Sequence, residues 1–113
     1  MVDDASFMRM VVKRVVEKGG HEVVGEASNG VEAVDMYKSI SPDVVTMDIT
    51  MPEKDGISAL KDILAFDKNA RVLMCSAMGQ QNMVIESIKS GAKGFVVKPF
   101  EGDKVLDEVN KLI

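Results

Sequence analysis

Five polar residues adjoin short apolar runs, and their chemical types suit one another. Asp48 follows VVTM, Ser76 follows RVLMC and Lys98 follows FVV, while Asp3 and Asp4 precede an amphipathic stretch, where a first strand ought to end. Carboxylates brought together repel strongly unless a hard cation lies among them. Mg²⁺ fits that task, because it takes oxygen ligands, keeps several waters and binds through one or two carboxylates plus phosphate oxygens. A carboxylate can also attack a phosphoryl group and form an aspartyl-phosphate. The incoming phosphoryl oxygens then need neutralising, which the metal, the Lys98 ammonium and the Ser76 hydroxyl would do together. The set is self-consistent for phosphoryl transfer onto one Asp. Taken singly, each residue has a plainer reading: Asp48 as a loop cap, Asp3 and Asp4 as helix N-caps, Ser76 as a turn hydroxyl, Lys98 as a surface charge. Their joint position at strand ends is what favours the chemical reading.

The elements that would place them alternate. Phe7 to Lys18 carries Met8, Val11, Val12, Val15 and Val16 at helical spacing, and Gly19-Gly20 stops it. His21 to Ala27 (HEVVGEA) reads as a strand weakened by Gly25, and Ser28-Asn29-Gly30 supplies turn and cap chemistry before a helix from Val31 to Ser39. Val44 to Met47 is an uninterrupted apolar run that suits a strand buried on both faces. After Asp48 a loop with Pro52 and Gly56 leads to a helix with Ile57, Leu60, Ile63 and Leu64 on one face. Ala70 to Cys75 reads as a strand, Met83 to Lys89 as a helix ended near Gly91, Phe95 to Val97 as a strand, and Val105 to Leu112 as a last helix. This αβαβαβαβα order predicts an α/β fold, a doubly wound parallel sheet, because parallel crossovers need helix-sized connections. In such a sheet ligands bind beyond the carboxyl ends of the strands.

Composition bounds the rest. The 113 residues allow one domain, with no linker, repeat or low-complexity tract to divide them. A hydrophobic fraction of 46% with 28% charged residues argues against disorder. The net charge of −4 makes nucleic acid a poor partner, and no apolar run is long enough to span a membrane. A single cysteine, Cys75, excludes an internal disulfide and fits a reducing cytoplasm; on a buried strand it is an inert core thiol. The nine Met residues read as adaptable core filling, and His21, the only histidine, as a solvated residue.

Four motifs in order resemble the response-regulator receiver domain: Val2-Asp3-Asp4-Ala5-Ser6-Phe7-Met8-Arg9; Met47-Asp48-Ile49-Thr50-Met51-Pro52 with Gly56; Cys75-Ser76-Ala77; and Phe95-Val96-Val97-Lys98-Pro99-Phe100. The resemblance runs over essentially the whole chain and is closest to regulators of chemotaxis type. It implies a flavodoxin-like receiver fold with Asp48 as phosphoacceptor, Asp3 and Asp4 in an acidic pocket, and Mg²⁺ held by Asp3, Asp4, Asp48 and the backbone carbonyl of Thr50. It implies Ser76 as the switch hydroxyl, Lys98 as the phosphate-binding lysine, and a cis bond before Pro99. Phe95 stands where the family has an aromatic residue that swings inward on activation; the alternative for it is permanent core packing. Thr50 and Met78 occupy positions that tune hydrolysis, and an apolar Met78 suggests slow dephosphorylation. The implied partners are a sensor histidine kinase of chemotaxis type and an output protein such as the flagellar motor switch.

One departure matters. Only Met1 and Val2 precede Asp3, whereas a working strand needs about five residues, and the strand in question is central in the 2-1-3-4-5 order. Losing about four buried aliphatic side chains would remove roughly 6–12 kcal/mol, comparable to the roughly 5–15 kcal/mol that stabilises a whole domain. The expectation is a single receiver domain over residues 1–113 with its first strand largely missing, compensated by strand exchange in a homodimer or by the second strand sliding towards the third. Either would weaken Mg²⁺ binding. The leading function is a phosphorylation-dependent switch that is no conventional enzyme, acting only on its own phosphoryl group; the alternative is a phosphorylation-impaired pseudo-receiver serving as an interaction module. A phosphate-ester hydrolase is disfavoured because Asp48-Ile49-Thr50 lacks a second carboxylate, and a flavin protein because no phosphate-cradling loop or stacking Trp or Tyr is placed for it.

Overall fold

The computed structural model describes residues 1–3, 5–49, 51, 55–77, 80–98 and 102–112. Among the described residues two helices come first and strands and helices then alternate: α1 (Ser6–Lys18), α2 (Gly30–Ile40), β1 (Val45–Asp48), α3 (Gly56–Phe66), β2 (Val72–Ala77), α4 (Gln81–Lys89), β3 (Gly94–Lys98) and α5 (Gly102–Leu112). The strands form a parallel sheet in the order β1-β2-β3. Among the described residues no helix is long and apolar enough to cross a membrane.

Local chemistry explains the helix boundaries. Asn29 caps α2 by accepting the Glu32 N–H at 2.9 Å, and the Glu32 carboxylate reaches back to accept from the Ser28 hydroxyl at 2.5 Å and the Asn29 amide at 3.1 Å. This reciprocal arrangement satisfies donors that the first helical turn leaves open. Asp55 caps α3 in the same way, accepting the Ser58 N–H at 2.8 Å. At the far end of α2, Ser41 takes a left-handed conformation (φ 50°) and its N–H returns to the Tyr37 carbonyl.

The sheet divides the core into two layers. Side chains alternate along a strand, so Val72 and Met74 of β2 join Val45, Met47, Leu60 and Ile63 on the α2/α3 face. Leu73 and Cys75 point the other way and meet Val12, Val16, Val105 and Val109 of α1 and α5. Helices on both faces of a parallel sheet are the doubly wound architecture read from the alternation.

The central position beside β1 is held by one residue. Val2 bridges Met47 on one side and Ala27 on the other, both in parallel sense. Its N–H donates to the Thr46 carbonyl at 2.7 Å and its carbonyl accepts the Asp48 N–H at 2.9 Å. Met1 and Asp3 bond the opposite way: Ala27 N–H to the Met1 carbonyl at 2.9 Å, Asp3 N–H to the Ala27 carbonyl at 3.1 Å. The Met1 ammonium donates to the Gly25 carbonyl at 3.1 Å, and burial lowers its pKa from the ordinary 8.0.

Two expectations are corrected here. His21 to Ala27 is not a strand; only Ala27 makes a bridge, although residues 21–26 keep a strand-like alternation of exposure. A strand exists by virtue of its neighbour, and within this segment the structure bridges Ala27 alone. Nor does the segment slide onto β1, because Val2 stays between Ala27 and Met47 and keeps the strand order that the doubly wound fold requires.

Candidate functional site

All strands run the same way, so their carboxyl ends share one edge of the sheet. Asp48 is the last residue of β1 and pairs in register with Cys75, which pairs with Val96. Ser76 stands opposite Val97, one step further along, and Ala77 opposite Lys98. Asp3 follows the Val2 bridge directly. The fold therefore brings Asp3, Asp48, Ser76 and the Lys98 backbone to one edge. The Lys98 side chain, Asp4, Thr50, Met78 and Pro99 lie outside what the structure describes, and so do the cis bond and the acidic-pair geometry expected of them.

Asp3 and Asp48 are both buried, each 8% exposed. Asp3 is tied down three ways: its Oδ1 accepts the Ala5 N–H at 2.9 Å, its carbonyl accepts from the Arg9 guanidinium at 2.5 Å, and its own N–H meets Ala27. Arg9 also pairs with Glu26 at 3.3 Å, so one guanidinium joins α1, the Asp3 backbone and the segment before Ala27. Asp48 is held through its backbone between Val2 and α3. The first residue of α3, Gly56, donates to the Ile49 carbonyl at 2.7 Å, and a Cβ there would lie 2.0 Å from the Asp48 carbonyl oxygen. Only glycine permits that approach. Among the described residues no three His, Cys, Asp or Glu side chains come together as a metal cluster; Asp3 and Asp48 are the two described members of the expected set.

Ser76 is 1% exposed and its hydroxyl donates to the Val96 carbonyl at 3.4 Å, near the outer limit of a hydrogen bond. Phe95 is 45% exposed. Permanent core packing, one of its two readings, is therefore overturned: β3 is an edge strand, Val96 points inward, and Phe95 and Val97 point out. Cys75 is buried with the core, as expected of an inert thiol. His21 sits at the surface in a 2.7 Å hydrogen bond with Asn110 of α5.

Two residues of this site went without a role in the sequence reading. Arg9 stood inside the first motif, and its distance of six residues from Asp3 spans the end of a strand and the start of a helix, which no helical or strand period connects. Gly56 was visible as a loop residue; a glycine opening a helix just past a strand end is the signal for a close backbone approach.

The sequence pattern of the response regulator receiver domain matches residues 1–110. The chain belongs to that family. Among curated proteins it is similar to the chemotaxis protein CheY of Bacillus subtilis (strain 168), with 61% identity over 113 residues, covering 100% of this chain and 94% of that protein. CheY of Thermotoga maritima is 59% identical over 112 residues, covering 99% of this chain and 93% of that protein. Among solved structures, the CheX–CheY–BeF₃–Mg²⁺ complex of Borrelia burgdorferi superposes with a TM-score of 0.93 at 43% identity, over 98% of this chain and 84% of that one. The receiver is thus CheY-like across its length, and its sheet, helices and strand-end edge are those of the receiver fold.

Proposed function

We propose that this CheY-like receiver is a phosphorylation-dependent switch of a chemotaxis pathway, with Asp48 as the phosphoacceptor. The observation that carries the reading is the burial of Asp48 at the carboxyl end of β1, level with Cys75 and one step short of Ser76. A sensor histidine kinase of chemotaxis type would be the donor. An Asp48 carboxylate oxygen attacks phosphorus, the P–N bond of the phosphohistidine breaks, and the imidazole leaves and takes up a proton. Hydrolysis of the resulting acyl phosphate returns the carboxylate and inorganic phosphate, so the chain has no separate substrate and is no conventional enzyme.

Asp3 and Asp48 are buried oxygen donors on backbones joined through Val2, which is the chemistry a hard divalent cation takes. Mg²⁺ would be held by Asp3, Asp4, Asp48 and the Thr50 carbonyl, and would neutralise charge on the phosphoryl oxygens. The Borrelia burgdorferi structure, which contains BeF₃ and Mg²⁺, supports this assignment. Lys98 would neutralise a further phosphoryl oxygen. Ser76 would exchange its long bond to Val96 for one to the phosphoryl group, letting Phe95 turn inward from its exposed position. An output protein such as the flagellar motor switch would read that change, in the cytoplasm.

Titration with BeF₃⁻ and Mg²⁺, followed by ¹⁹F NMR, tests the reading. Saturable binding that is lost in Asp48→Asn supports it. No binding by the native chain would favour a phosphorylation-impaired interaction module.

A further inference from the structure

The end of β2 offers one backbone donor that the sheet itself does not use. In a parallel ladder, a residue that donates to one residue of the neighbouring strand accepts from the residue two further on. Ile49 donates to the Cys75 carbonyl at 3.1 Å, so the ladder would give its own carbonyl to the Ala77 N–H. That carbonyl instead accepts the Gly56 N–H at 2.7 Å, at the start of α3. The Ala77 N–H is thereby left pointing across the gap where β1 ends. Cys75 stands in register with Asp48. At about 3.3 Å per residue the Ala77 nitrogen lies roughly 5 Å beyond that level, within reach of a carboxylate that carries a phosphoryl group.

In the structure this donor is occupied. Gln80 turns its side chain back, and its Oε1 accepts the Ala77 N–H at 2.6 Å. Gln80 precedes α4, whose first turn leaves N–H groups open, yet its side chain caps none of them. Its Nε2 donates to Met83 Sδ at 3.7 Å, which holds the amide with its oxygen towards Ala77. The Gln80 N–H also donates to the Ala77 carbonyl at 3.3 Å, so side chain and backbone close on the same residue. The neighbouring donor, the Ser76 hydroxyl, makes only a 3.4 Å bond to the Val96 carbonyl. Of these two donors at the end of β2, the backbone one is the more firmly engaged.

We propose that Gln80 is a built-in competitor of the phosphoryl group: its amide oxygen holds the Ala77 N–H in the resting protein and must withdraw before a phosphoryl group on Asp48 can take that donor. The proposal rests on Asp48 as phosphoacceptor and adds a residue that sets how readily the modified state forms. Gln80 touches the donor and not the phosphoryl group, so it is a positioning residue. An amide oxygen suits the task. It is a neutral acceptor, and hydrogen bonds to an anionic oxygen are roughly twice as strong. The phosphoryl oxygen therefore wins the exchange, but its gain is reduced by the bond it displaces.

The test titrates the full chain and its variants with BeF₃⁻ in the presence of Mg²⁺, the fluorines standing in for phosphoryl oxygens. Affinity is read by ¹⁹F NMR and the Ala77 amide by hydrogen exchange. Gln80→Leu keeps the bulk of the side chain and removes the acceptor. It should bind BeF₃⁻ about two- to tenfold more tightly, the range of one net hydrogen bond. In the free proteins the Ala77 amide should exchange faster in Gln80→Leu by a similar factor. In the two complexes it should exchange at the same rate, because fluorine holds it in both. Gln80→Glu keeps the acceptor and adds negative charge, so it should bind no more tightly than the parent. A side chain that merely shaped the start of α4 would weaken binding when removed. Equal or weaker binding by Gln80→Leu, with saturable binding by the parent, overturns the proposal and leaves the phosphoacceptor reading intact. Absence of binding by both proteins refutes the two together, whereas binding by Gln80→Leu alone supports both.

Discussion

Gly56→Ala is the sharpest probe of how the phosphoacceptor is held. The added methyl carbon would lie 2.0 Å from the Asp48 carbonyl oxygen and 2.9 Å from both the Asp48 carbonyl carbon and the Ile49 Cα. Real contacts of this kind stay beyond 3.0 Å, so a full ångström of movement is required. Every atom in the way is backbone, and it belongs to the end of β1, where Asp48 sits. Helix propensity alone would favour alanine by about 0.5–1 kcal/mol. Overpacking a rigid site costs about 1–3 kcal/mol, and this overlap belongs at the top of that range or beyond it. The expected net loss is about 2–3 kcal/mol, a drop of roughly 8–12 °C in Tm for a chain of this size. Urea melts at unchanged slope would measure it, and BeF₃⁻ titration should show weakened binding as the Asp48 backbone shifts. Gly19→Ala supplies the comparison: its Cβ would meet Leu106 Cδ1 at 2.3 Å, a similar overlap, but with the free end of a flexible side chain. That variant should lose less than about 1 kcal/mol. A Gly56→Ala protein as stable as the parent, or two variants with equal losses, would refute the reasoning.

Other substitutions test single contacts. Tyr37 donates to Asp67 at 2.9 Å, and burial, followed by that bond, raises its pKa to about 12. The unfolded chain ionises near 10, so stability is full below pH 10 and falls as pH rises towards 12; Tyr37→Phe should cost about 1 kcal/mol at neutral pH and remove that alkaline loss in thermal melts. Asn29→Ala removes the α2 cap and one donor to Glu32, and should lower stability by about 1 kcal/mol in urea melts. Ser76→Ala breaks only a 3.4 Å bond, so the melts should move by less than about 1 kcal/mol. The same variant should lose the difference in Phe95 environment between BeF₃⁻-bound and free protein, read by aromatic NMR shifts.

Much of this molecule is legible in its sequence because its helices and buried strands carry strong local signals. Asn29 before Gly30 and the apolar runs at 44–47 and 70–75 each announce an element within a few residues. Asp3, Asp48 and Ser76 were placed by the rule that parallel sheets present their ligands at strand ends. What escaped depends on partners distant in sequence. The run HEVVGEA has the composition of a strand, yet among the described residues only its last member, Ala27, makes a bridge. Phe95-Val96-Val97 reads as uniformly apolar, and only the position of β3 at the sheet edge exposes two of the three. The reach of Arg9 to the Asp3 carbonyl and the backbone contact at Gly56 are products of tertiary geometry, which leaves little trace in a local pattern.

The two layers of the core differ in size, and that difference bears on how the molecule breathes. The α2/α3 face buries seventeen described residues and the α1/α5 face seven. Apolar burial sets the cost of local opening, so α1 and α5 should exchange their amides ahead of α3 and β2. Asp3 is anchored to α1 through Arg9 and Ala5, whereas Asp48 is clamped against α3. The two carboxylates therefore sit astride the boundary between a loose cooperative unit and a firm one. Any cation gripped by both would stitch the units together, and its arrival would be felt furthest away, as slower opening along the whole of α1.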